Sequence, residues 1–137
     1  MMSDFTKAFL LAGLVIFFCA RCKEEEHILV LSGTEWIVEK IKNEGKLSWQ
    51  KPKETYQIVF VNDSALTVIL DVNIWYGTYI FHGAGKMDIS MSGSTYVCCD
   101  SDYANDLLEI FSNTEEIFIK NESMFTEGKG KLQLTRQ

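Results

Sequence analysis

From Gly33 to Leu134 the chain is written in short runs whose apolar residues recur at every second position, and turn residues separate the runs. That period is the signature of half-buried strands, so the core of this chain must be a sheet surface rather than helix stripes. Trp36 and Val38 alternate in the first run, with the Lys40 stem on the same face. Tyr56, Ile58 and Phe60 alternate in the second. Asn62-Asp63-Ser64 is turn chemistry, and the aliphatic run Ala65–Val72 pairs back as a hairpin. Trp75–Phe81 and Lys86–Met91 flank His82-Gly83-Ala84-Gly85, with Met87, Ile89 and Met91 in strict alternation. Glu116–Lys120 and Lys131–Thr135 close the set, joined by a loop holding Gly128 and Gly130. This reading gives about seven strands.

One segment breaks the pattern. Leu107, Leu108 and Phe111 form a helical stripe with Tyr103 and Ala104 a turn earlier, capped by Asp100 or Ser101 and ended by Ser112-Asn113. The expected fold is mainly β: a small antiparallel, barrel-like (lipocalin-like, partly open) sheet with one helix. Curling protects the edges of such a sheet. Its inward set would be Trp36, Val38, Tyr56, Ile58, Phe60, Tyr79, Phe81, Met87, Ile89, Phe118, Leu132 and Leu134. These are mostly large, which favours a filled interior over a ligand cavity.

A different kind of segment precedes this region. The apolar run Ala8–Phe18 suits the ~7–15-residue hydrophobic part of an export signal, and it is short of the ~20 residues a membrane span needs. Small Ala20 lies just ahead of Arg21-Cys22, and Cys22 is the candidate lipid-attachment site; ordinary signal cleavage with release is the competing reading. Arg21 departs from the small residue usual before a lipidated cysteine, and Cys19 stands where an aliphatic residue is common. Lys23-Glu24-Glu25-Glu26 reads either as a solvated tether or as the acidic tag of surface-exposed lipoproteins. The organisation expected is a lipoprotein signal peptide over 1–21, a tether over 22–30 and a β domain over 31–137. The address expected is the cell envelope, as an outer-membrane lipoprotein facing the periplasm or the surface, with the membrane as a partner through the lipid.

The chain of 137 residues has 13 basic and 19 acidic residues and a net charge of −6. That balance argues against nucleic acid and against adhesion to anionic lipid. Loss of Asp4, Lys7 and Arg21 with a leader would make the remainder more acidic still. Cys98 and Cys99 form a candidate vicinal thiol pair: two free thiols, at least one of them buried, or a strained bridge, or a redox or metal site. A metal is not expected, because the histidines are only His27 on the tether and His82 near a turn. Gly83-Ala84-Gly85-Lys86 lacks the rest of a phosphate-loop pattern and reads as a hairpin turn. Gly77 reads as a close backbone approach or bulge, and Asn73 as a turn or bulge residue that tolerates positive φ. Asp100, Asp102, Asp106 and Glu109 read as acids favoured by the helix dipole.

The order of landmarks resembles the META domain family (the HslJ-like proteins). The resemblance rests on Leu31–Trp36, Tyr56–Phe60, Asn73 followed by Gly77-Thr78-Tyr79, Thr95 with Cys99, the Leu107/Leu108/Phe111 helix and the terminal Leu132-Gln133-Leu134. It implies a small β barrel with a helix and no defined activity. The cysteine that family members often carry near the Asn is missing here, where Val72, Ile74 and Trp75 stand. No nucleophile–base pair stands out, and no cofactor is expected. The reading is therefore a non-enzymatic envelope lipoprotein acting as an interaction or structural module with an envelope protein, through aromatics such as Trp49, Trp75 and Tyr76. The alternative is a lipocalin-like carrier that holds a small apolar ligand among Trp36, Phe60, Tyr79 and Phe118. A redox-responsive role for the cysteine pair ranks third.

Overall fold

A computed structural model describes residues 29–137. The signal segment, Cys22 and most of the tether lie outside the described residues. The alternating runs form eight antiparallel strands: β1 (Thr34–Asn43), β2 (Gln57–Phe60), β3 (Ala65–Ile69), β4 (Ile74–Gly83), β5 (Lys86–Ser94), β6 (Thr114–Lys120), β7 (Ser123–Gly128) and β8 (Gly130–Arg136). They pair in chain order, and β8 returns to β1, so the barrel is closed rather than partly open. Closure leaves a thin seam, because β5 and β6 share a single register pair, Lys86↔Glu116. The helix α1 (Asp102–Ser112) connects these two strands and packs against β1, β5 and β8. Ala104, Leu107, Ile110 and Phe111 are its buried stripe.

Most of the expected inward residues are core. Trp36, Val38, Tyr56, Ile58, Phe60, Tyr79, Met87, Leu132 and Leu134 are buried, and Phe81 and Ile89 pack against them partly exposed. Phe118 is a correction. Thr114 and Ile117 are buried, with a register shift between Thr114 and Glu116. The extra residue inverts the faces, so Ile117 points in and Phe118 points out. Phe118 is 46 % exposed and stacks on Phe125 of β7, ring centroids 5.3 Å apart. A second shift, between Val38 and Lys40, seats Ile41 in the core and leaves Lys40 outside, its ammonium 4.9 Å from the Trp49 ring.

β7 occupies the stretch where the pattern predicts a loop between the two closing strands. Asn121 and Glu122, both at positive φ, turn β6 back on itself, with Lys120 opposite Ser123. That is the two-residue hairpin geometry that matches strand twist. Met124 and Thr126 then face inward. The β4–β5 turn has the same geometry at Ala84 and Gly85, which bears out the hairpin reading of that stretch. Gly77 lies at a bulge, and a Cβ there would stand 2.8 Å from the Ser90 carbonyl oxygen and 2.9 Å from the Met91 sulfur. Only glycine lets β4 and β5 approach so closely. At Gly130 a Cβ would meet Ile110 at 2.9 Å, so its absence lets α1 settle against β8.

Antiparallel order sorts the connections onto two ends. The β2–β3, β4–β5 and β6–β7 turns share one end with Leu29–Ser32, the segment entering β1. There Leu31 is buried, and its carbonyl accepts from the Thr34 amide at 3.0 Å. The Trp36 indole donates to the Thr34 hydroxyl at 2.8 Å, which satisfies the buried N–H. At the other end lie α1 and the loops after β1, β3 and β5.

Candidate functional site

The loop after β5, residues 95–101, is held by side chains distant from it in sequence. Asn73, between β3 and β4, is 7 % exposed. Its amide nitrogen donates to the Val97 carbonyl at 2.8 Å and to the Asp100 carboxylate at 2.7 Å. Its amide oxygen accepts from the Val97 N–H at 2.8 Å and from the Thr95 hydroxyl at 3.4 Å. Asp100 in turn accepts from the backbone N–H groups of Val72 (3.1 Å) and Asn73 (3.0 Å). Thr95 ties the loop to the first residue of β4, its hydroxyl accepting from the Ile74 N–H at 2.9 Å. Both ends of the Asn73 amide are therefore engaged, as burial of a polar group demands.

A second set of bonds joins this clamp to the helix. The Ser101 N–H donates to Asp71 at 3.1 Å, and the Ser101 hydroxyl caps α1 by accepting from the Ala104 N–H at 3.2 Å. The same hydroxyl lies 3.2 Å from the Tyr56 hydroxyl, and Tyr56 stacks on Tyr103 with centroids 5.2 Å apart. Burial opposes ionisation of Asp71. Hydrogen bonds from the Ser101 hydroxyl, from its own and the Ser101 backbone, and from Tyr56 outweigh that, holding its carboxyl below the usual carboxylate range. Burial and the Asp71 charge push the Tyr56 hydroxyl up.

With its polar atoms turned inward, the loop displays apolar ones. Tyr96 is 99 % exposed and Val97 57 %, beside the exposed Cys98 and Cys99. The two cysteines are joined as a vicinal disulfide with Cα atoms 3.7 Å apart, and Cys99 has φ 81°. The buried thiol expected for this pair is not found: β5 ends at Ser94, so Cys98 and Cys99 are loop residues with no sheet face to bury them.

Asn73 also departs from expectation. It has no positive φ; its side chain, not its backbone freedom, is what the fold uses. Asp100 serves the clamp rather than the helix dipole, and Asp106 accepts from Asn43 at 2.8 Å. Trp75 packs against the core instead of projecting, whereas Tyr76 and Trp49 are exposed. His82 pairs with Asp88 at 2.7 Å on the outer face. Among the described residues no group of three or more His, Cys, Asp or Glu side chains could hold a metal ion. His27 lies outside the described residues. No helix among them is long and apolar enough to cross a membrane.

Of the candidate ligand-lining residues, Trp36, Phe60 and Tyr79 do converge, in one buried cluster, with Phe60 edge-on to Tyr79 at 5.0 Å. They fill space rather than line it. The Tyr79 hydroxyl donates to the Asn62 carbonyl at 2.7 Å. A cleft of about 230 Å³ opens between Leu29–Ser32 and Asp63, Tyr79 and Phe81. A second, of about 210 Å³, lies at the β5–β6 seam beside Asp88, Asn113 and Lys129.

No family model matches this chain. No curated protein matches it. Among solved structures it is similar to a DUF4847 family protein from Bacteroides vulgatus, with a TM-score of 0.59 over 77 % of this chain and 94 % of that one. Sequence identity is 12 %, so the likeness is one of fold. The chain itself is a closed eight-stranded antiparallel barrel with one helix, and it resembles that protein in fold.

Proposed function

We propose that this protein is an exported, lipid-anchored component of the cell envelope, attached through Cys22, whose barrel is a non-enzymatic interaction module. The observation that carries the proposal is the 95–101 loop, pinned by buried Asn73 and by Asp100 while Tyr96 and Val97 stand in solvent. A rigid loop that shows apolar side chains to water is built for contact with another surface. The export reading is supported by the Ala8–Phe18 run and its cysteine boundary, and the META resemblance by landmark order. The carrier reading has less support, since both clefts fall short of the ~300 Å³ at which small-molecule pockets begin.

The test is capture from envelope extracts with the full chain and with a Tyr96→Ser/Val97→Ser variant, alongside the intact mass of the membrane-extracted protein. A partner retained by the parent and lost by the variant, with acyl mass on Cys22, is the expected result. Equal recovery by both chains removes the loop from the proposal. A bound apolar ligand in native mass spectra would favour the carrier reading.

A further inference from the structure

The connection between β1 and β2 shares its end of the barrel with the clamped loop, and its chemistry differs from the rest of the molecule. Residues 45–53 read Gly-Lys-Leu-Ser-Trp-Gln-Lys-Pro-Lys: three lysines and no carboxylate, in a chain of net charge −6. Lys40 adds a fourth cation, its ammonium over the Trp49 ring. The acids flanking the stretch are Glu39, Glu44 and Glu54, all exposed. The loop is folded back on itself, with Ile41 and Gln50 exchanging backbone hydrogen bonds of 2.9 and 2.8 Å and Lys46 N–H donating to Asn43 at 3.1 Å. Its tip is Leu47, 96 % exposed, and Trp49 is 37 % exposed.

We propose that this loop is a docking site for the headgroup surface of an anionic bilayer. The occupant follows from the pairing of side chains. A leucine held in water offers no hydrogen bond to a glycan, but it can enter the acyl boundary of a membrane. A tryptophan suits the headgroup level, and lysines reach phosphates while their stems stay in apolar surroundings. The acidity of the whole chain does not forbid this: over residues 39–54 five lysines, Lys42 among them, outnumber the three glutamates, and charges more than a Debye length of ~8–10 Å away are largely screened. The inference rests on the β1–β2 loop alone and stands or falls independently of the lipid on Cys22.

The test uses the unlipidated chain from Lys23 onward, whose described core lies wholly within residues 29–137. Flotation with phosphatidylglycerol–phosphatidylethanolamine vesicles is compared with pure phosphatidylcholine, and Trp fluorescence is followed, with Trp49→Phe to isolate the signal from Trp36 and Trp75. The expected result is binding to the anionic vesicles with a blue shift. It should weaken about tenfold or more in a Lys46→Glu/Lys51→Glu/Lys53→Glu variant and in raised salt. Leu47→Ser should weaken binding while leaving the circular-dichroism spectrum unchanged. Equal binding to neutral vesicles, no binding, or full binding by the lysine variant overturns the proposal. So does retention on a soluble polyanion that ignores Leu47→Ser, which would assign the loop to an acidic polymer instead.

Discussion

The two ends of the barrel are closed by different physics. At the end where the chain enters, Leu31 is pressed into the core, Tyr79 packs edge-on against Phe60, and Trp36 is anchored by Thr34. At the helix end, apolar packing is joined by a polar clamp in which Asn73, Asp100, Asp71 and Ser101 bind loops together. Apolar packing is non-directional and excludes water, whereas hydrogen bonds specify the path of a backbone. The first seals an end; the second can hold a loop outside the core, which is why Tyr96 and Val97 stand in solvent on a loop whose path is fixed.

This contrast breaks most visibly in the packed interior. Trp36→Ala empties a fully buried site and should cost about 3–5 kcal/mol in urea unfolding, whereas Phe118→Ala, on the outer face, should shift stability by about 0.5 kcal/mol or less. Equal costs would mean that β6 sits in the other register. Asn73→Ala strips partners from Val97 and Asp100 and should cost about 2–3 kcal/mol. Its sharper signature is local: amide exchange should accelerate over residues 95–100 before it changes in β1 or β8. Uniform acceleration would show that the clamp is not a separate unit. Ser101→Ala removes the helix cap and should cost about 1 kcal/mol, read from thermal unfolding. The smallest effect is on pH. Asp71 is held below its ordinary value, so its contribution is present above pH 3.8 and is lost as pH falls through the folded pKa. Asp71→Asn should flatten that acid limb, and an unchanged acid transition would remove Asp71 from the clamp.

Much of the fold was legible because alternation is local. Trp36/Val38, Tyr56/Ile58/Phe60 and Leu132/Leu134 each declare a face within a few residues, and the turn at Asn62–Ser64 and the cap at Ser101 are equally short-range. The errors cluster at insertions. One extra residue in β1 and one in β6 exchange the faces of Lys40 and Ile41 and of Ile117 and Phe118, and nothing in a period-two pattern marks where a bulge falls. β7 went unread because its inward positions are Met124 and Thr126, a weak alternation between glycine- and asparagine-marked turns. The clamp was illegible for another reason. Asn73 and Asp100 are 27 positions apart, and each residue alone is ordinary turn or cap chemistry.

By itself the sequence determined a mainly β fold with one helix and a large-residue interior, because propensity and pattern act between near neighbours. Only the tertiary structure decided that the sheet closes, which face Phe118 takes, and that Asn73 and Asp100 meet beneath an exposed loop. Those outcomes depend on register and on contacts between segments far apart in the chain, where one inserted residue inverts a face and a hydrogen bond exists only once the barrel has brought its partners together.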